Sequence, residues 1–246
     1  MDISTIIGLA AFAIFVVVGI VSSQFSASLL NLHALFVVLG GCVVAMLLNT
    51  PMRYLVLAFT ELRALLIDEE AARLQHIVPV MTDLAEQCRM KGIASLKDAD
   101  PAVAKGFLLR ASLAALEYGD YNFVKQVMEQ EINQAADETN EVANVYRTMS
   151  ILMPMFGLLG TLIGIIGVLR DLSNPENVGP AMGVAITSAF YGIFMANMIC
   201  VPIAGKIRAR IWMEVKMKSM VLDGVLEIMK GSIPMVVERR LQSYLG

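Results

Sequence analysis

Four apolar stretches without a charged residue divide this chain, and they fall in two pairs. The first runs from about Ile3 to Val21, interrupted only by Ser4 and Thr5. That is close to the roughly 20 residues an apolar helix needs to cross hydrocarbon. The second, about Ala34 to Leu48, is shorter and carries Gly40-Gly41 in its middle. The stretch joining them, Ser22 to His33, contains no Lys, Arg, Asp or Glu, so the two read as one hairpin. The third runs from about Met149 to Leu169 and the fourth from about Ala181 to Ala204, again without an acid, lysine or arginine. The pattern predicts an all-α integral membrane protein with four transmembrane helices.

Between the pairs the pattern changes. From about Glu61 to Arg147 apolar and charged residues mix at helical spacing, with Leu62, Leu65, Leu66 and then Leu74, Ile77, Val78 and Met81 making one stripe. A small cytoplasmic helical bundle is expected there. Pro79 is expected to kink or end a helix, and Asp98-Ala99-Asp100-Pro101 to start one, since acids and proline favour helix N-termini. The tail from Lys206 continues the fourth span and breaks near Gly231 and Pro234. The resulting organisation is a transmembrane hairpin (1–50), a cytoplasmic helical domain (51–147), two further spans (148–207) and cytoplasmic C-terminal helices (208–246).

Composition agrees with the pattern: 57% of the 246 residues are hydrophobic, against about 45–50% in soluble domains. Charge sets the orientation, because cytoplasmic flanks are enriched in Lys and Arg. Ten of the 19 such residues lie between Arg53 and Arg147, eight between Lys206 and Arg240, and only Arg170 between the last two spans. Both charged regions and both termini are therefore expected on the cytoplasmic side of the membrane. A net charge of −3 without a basic run argues against nucleic acid as a partner. Cys42, Cys88 and Cys200 are too scattered for a disulfide framework or a metal cluster. His33 and His76 stand apart, and no nucleophile, metal or nucleotide motif occurs. Nothing predicts an enzyme, a bound cofactor or a metal.

The informative residues lie in the second pair of spans. Gly157, Gly160, Gly164 and Gly167 fall on one helix face, and Ala185, Ala189, Gly192 and Ala196 repeat the device in the next span. Small residues let helix backbones approach closely. Thr161 lies on the glycine face, with Thr187, Ser188 and Tyr191 together in the fourth span. Hydroxyl oxygens can bond back to a carbonyl four residues earlier or act as ligands to a cation. Pro154 and Pro202 each remove a backbone donor and are candidate hinges. Moving cations through hydrocarbon normally requires an ionisable group at depth, and these spans have none, so a conducting role needs an acid from another chain.

These residues resemble the A subunits of bacterial flagellar stators, the MotA/PomA family. The likeness is carried by Pro154-Met-Phe-Gly-Leu-Leu-Gly-Thr-Leu-Ile-Gly164, Asn177-Val-Gly-Pro-Ala-Met-Gly-Val-Ala185, Tyr191-Gly192 and Val201-Pro202-Ile-Ala, with Gly40-Gly41 and the Ile233-Pro234 tail. The resemblance implies a homo-oligomer, a pentamer, in the lipid bilayer around a B subunit that has a membrane aspartate and a peptidoglycan-binding domain. It also implies passage of H+ or Na+ and torque on a FliG-like rotor switch protein. Thr161, Thr187, Ser188, Ala189 and Tyr191 then fall on the ion path, Pro154 and Pro202 couple ion passage to movement, and Arg89, Lys91, Lys97 and Asp98 meet the rotor.

Two departures bear on those roles. Where the family usually has Leu-Glu, this chain has Leu96-Lys97, followed by Asp98 and Asp100. Thr161 matches sodium-type members, whereas Ala189 stands where the family usually has threonine. The alternatives to a flagellar role are a TolQ/ExbB-like or gliding-type envelope motor, a secondary transporter and a scaffold without flux.

Overall fold

The computed structural model describes residues 7, 8, 10–14, 17, 18, 31–64, 70–170, 173 and 175–245. Most of the first expected span lies outside the described residues. The helices are α1 (Leu32–Asn49), α2 (Met52–Ala64), α3 (Glu70–Lys91), α4 (Phe107–Tyr118), α5 (Tyr121–Arg170), α6 (Pro175–Met195), α7 (Val201–Met229) and α8 (Pro234–Gln242). A π-helical turn, Ala196–Cys200, joins α6 to α7, and 3-10 turns occupy Ile93–Asp98 and Val103–Gly106. Among the described residues there is no strand. Among the described residues three segments are long and apolar enough to cross a bilayer: Leu32–Asn49, Tyr121–Arg170 and Val178–Met229.

The chain forms two compact units, one of residues 1–68 and 141–207, the other of residues 69–140 and 208–246. In the first, α1 starts where the Asn31 side chain accepts hydrogen bonds from the backbone N–H groups of His33 and Ala34, at 3.0 and 3.1 Å, which satisfies donors left free at a helix start. The Asn31 N–H itself donates to the Tyr191 hydroxyl at 3.2 Å, tying α1 to α6. Gly41 of α1 leaves room for the Phe156 ring of α5, which a β-carbon would strike.

The second unit has a core of large aliphatic side chains. Leu74, Ile77, Val78 and Met81 of α3 are buried with Phe107 and Leu108 of α4, Val124 and Met128 of α5, Met220, Val221 and Val225 of α7, and Val237 and Leu241 of α8. The second half of the expected stripe is therefore core; Leu62 is half-buried in the first unit, and Leu65 and Leu66 lie outside the described residues. At the turn between α4 and α5, Gly119 is left-handed at φ 67° and its N–H donates to the Ala115 carbonyl, while Asp120 Oδ1 accepts from Phe123 N–H at 2.7 Å. This is a glycine stop followed by an aspartate start.

One expectation is narrowed here and one corrected. Pro79 does not end a helix: α3 runs through it from Glu70 to Lys91, its buried stripe on both sides outweighing one lost backbone bond. Asp98–Pro101 does not begin an α-helix; the Asp100 carboxylate takes the Ala102 N–H at 2.8 Å, a 3-10 turn follows, and α4 begins only at Phe107. Two successive left-handed residues, Ala104 and Lys105, break the helical path between them.

Candidate functional site

The glycines, Pro154, Thr161, Ser188 and Ala189 of the third and fourth spans converge on the contact between α5 and α6. A β-carbon on Gly157 would lie 2.8 Å from the Ser188 carbonyl oxygen and 3.3 Å from Gly192 Cα. On Gly160 it would lie 2.5 Å from the Ser188 side chain, and on Gly164 2.7 Å from Ala185 Cβ and 2.8 Å from the Ala181 carbonyl. Gly167 is less tight, with Ala181 Cβ at 3.4 Å. From the other side, Gly192 would meet the Met153 carbonyl at 2.5 Å and Pro154 Cα at 3.1 Å. The glycine face is thus filled by α6 of the same chain.

The hydroxyls sit in and around this contact. Thr161 Oγ1 lies 3.1 Å from the Gly157 carbonyl of its own helix and 3.0 Å from the Ala185 carbonyl of α6, a link between helices. Ser188 is fully buried and donates to Val184 O at 2.8 Å; Thr187 is buried and donates to Gly183 O at 2.7 Å. Each proton is placed on a backbone carbonyl, which leaves oxygen lone pairs as the only unused function. Ala189 packs its Cα toward Gly157. Tyr191 is apart from this group in role, since its oxygen takes the Asn31 N–H.

The two prolines differ in setting. Pro154 lies inside α5, against Gly192, so a proline sits within the tight contact of the helix pair. Pro202 follows the π turn, where Val201 N–H reaches back to Ala196 O. A π turn beside a proline is a recognised cause of helix bending. Sequence reasoning missed the π turn, the Asn31 cap and the bond from Asn31 to Tyr191: the π turn has no residue signature here, the cap was signalled by an asparagine just before an apolar run, and the bond joins residues 160 positions apart.

The charged residues form a separate site in the second unit. Arg89 and Lys91 end α3, and Lys97 and Asp98 end the 3-10 turn after it; all four are exposed. Gly92, between them, has φ 91° and ψ 166°, a conformation essentially reserved for glycine. Buried Ser95 and Leu96 anchor the turn from beneath. Among the described residues none of the four charges enters an ion pair, so they are presented outward. Burial pushes the neighbouring Cys88 thiol up from its ordinary value, keeping it a neutral core residue.

The unit's ion pairs lie elsewhere. Glu214 takes Lys105 Nζ at 2.7 Å and Lys218 Nζ at 2.8 Å. Burial alone would raise its carboxyl, but the two lysines outweigh it and hold the group below the usual range. Asp223 accepts from Tyr244 Oη at 2.9 Å and Arg240 Nε at 3.3 Å, fastening the C-terminal turn to α7. Burial, then this bond to a carboxylate, pushes the Tyr244 hydroxyl up to about 12. No group of His, Cys, Asp and Glu suited to a metal occurs among the described residues.

Comparison with known proteins places this geometry. The MotA/TolQ/ExbB proton channel family matches residues 100–220. The chain is 29% identical to motility protein A of Aquifex aeolicus, over 100% of this chain and 97% of that one. It is 25% identical to chemotaxis protein PomA of Vibrio alginolyticus, over 100% and 96% respectively. Its fold matches a chain of the flagellar MotAB stator complex from Bacillus subtilis with a TM-score of 0.86 at 26% identity, over 98% of this chain and 95% of that chain. With its apolar helices, its tightly packed glycine contact and these full-length likenesses, the chain is similar over its whole length to the MotA/PomA group of motility proteins.

Proposed function

We propose that this chain is the A subunit of a bacterial flagellar stator, which with a B subunit forms a cation channel and converts ion flow into torque on the rotor. The observation that carries this is the pairing of full-length likeness to motility proteins with spans that hold hydroxyls and prolines but no acid. A conducting site in hydrocarbon needs an ionisable group, so the B subunit brings the carboxylate, and the match to a MotAB complex supports such a partner. The chain is a four-span protein of the inner membrane with both termini in the cytoplasm, and five copies surround B. Thr161 lies beside the ion path and favours Na+, because its oxygen retains a lone pair after its proton is placed on a carbonyl. Pro154 and Pro202 act as coupling hinges, and Arg89, Lys91, Lys97 and Asp98 meet a FliG-like rotor protein.

The test is swimming in a strain lacking its own stator and expressing this chain with the adjacent-frame B protein. Arg89→Gln should reduce swimming while membrane levels stay normal, and full motility would remove its rotor role. Speed should rise with Na+ at constant pH and fall in Thr161→Ala; indifference to Na+ would reassign the ion to H+.

A further inference from the structure

The first unit contains a cavity of about 280 Å³ between α1, α2 and α5, lined by Cys42, Met46, Met52, Val56, Tyr146 and Met153 among other apolar side chains. Its size approaches the roughly 300 Å³ at which small-molecule sites begin. The one polar side chain in its wall is already engaged: the buried Tyr146 hydroxyl donates to the Ala58 carbonyl at 2.8 Å. An apolar cavity of this kind does not hold water, so its natural occupant is hydrocarbon. Its rim is exposed and apolar, with Val43, Leu47, Met52, Val56 and Phe59 open on the surface. Met52, Val56 and Phe59 recur every three or four residues along α2, as on a helix lying at a membrane interface.

Charge identifies which hydrocarbon. Arg53 and Arg147 follow directly on the lining residues Met52 and Tyr146, and both are exposed. Basic residues at the edge of a span attract anionic headgroups. An extended protein segment would bring backbone groups that this wall cannot hydrogen-bond, whereas an acyl chain brings none. We propose that this cavity is a binding site for one acyl chain of an anionic phospholipid, whose headgroup lies by Arg53 and Arg147. The site rests on the chain's being a membrane protein and not on ion flow, so its test leaves swimming aside.

The full-length chain is placed in nanodiscs of phosphatidylcholine containing phosphatidylglycerol with a photoactivatable diazirine on its acyl chain, and adducts are mapped by mass spectrometry after irradiation. Adducts should concentrate on residues 42–59 and 145–153 and be displaced by unlabelled phosphatidylglycerol more readily than by phosphatidylcholine. Ala58→Leu, filling the cavity from within, and Val43→Trp, blocking its rim from an exposed position, should each remove that concentration. Arg53→Gln and Arg147→Gln should each weaken the preference for phosphatidylglycerol about fivefold, as expected of one cation near a membrane surface. Labelling spread evenly over all exposed apolar helices, equal displacement by both lipids, or cross-links joining two copies of the chain through these residues would each overturn the proposal.

Discussion

The two units hold themselves together in opposite ways. In the unit of residues 1–68 and 141–207, the principal contact is between backbones: Gly157, Gly160 and Gly164 meet Ser188, Ala185 and Gly192 with no space for a β-carbon. In the unit of residues 69–140 and 208–246, the contact is between large side chains, with Phe107, Met81, Leu108, Met220 and Leu241 fully buried. Burying leucine drives folding where the alternative is water. In lipid the alternative is equally apolar, and helices associate through close packing and hydrogen bonds such as that from Thr161 to Ala185. One chain therefore joins its helices through small residues in the apolar spans, whose exposed faces are leucine and isoleucine, and through large residues in the other unit's core.

The sharpest break in this comparison is Gly164→Leu. Its new side chain would run into the Ala181 carbonyl and Ala185, and because backbone cannot move aside, the cost should exceed the ~1–3 kcal/mol usual for overpacking. Loss of folded chain from membranes, read by protease resistance, is the expected result. In the other unit the reverse change is the damaging one. Phe107→Ala should cost ~3–5 kcal/mol, seen as a lower unfolding temperature of the detergent-solubilised chain, and an unchanged temperature would contradict the assigned core. Gly92→Ala should cost ~1–3 kcal/mol, because its φ of 91° strains any side chain although nothing crowds the position.

The smallest effect concerns Glu214. Its folded carboxyl lies below its unfolded value, so its contribution to stability is present above about pH 4.3 and disappears as pH falls through the folded-state value. Glu214→Gln should thus be less stable than the parent at neutral pH and indistinguishable from it in strong acid. A difference that persisted unchanged into acid would show that Lys105 and Lys218 are not its source.

Much of this was legible in the residues. The hydrophobic runs mark α1 and the apolar parts of α5 and α6, the stripe Leu74–Met81 is core, and the break at Gly231 and Pro234 separates α7 from α8. The motif from Pro154 to Gly164 points to the family through its residue types and their spacing alone. Less legible was the local path around Pro79 and Asp98–Pro101, where tertiary burial of α3 and a side-chain bond from Asp100 override the usual signals of proline and acid.

What the sequence by itself determined is which residues share a helix face, which segments avoid charge, and that the spans lack any acid of their own. Those properties follow from helical periodicity and from the cost of charge in hydrocarbon, and both are local. Only the tertiary structure decided what each face meets: that the glycines receive α6 of the same chain, that the Tyr191 hydroxyl accepts the Asn31 N–H at the start of α1, and that residues 208–246 complete the core begun by residues 69–140. Periodicity specifies a face without specifying its partner, and in a bilayer lipid, a neighbouring helix and a second subunit are nearly alike in polarity. Shape and the few hydrogen bonds between helices make that choice.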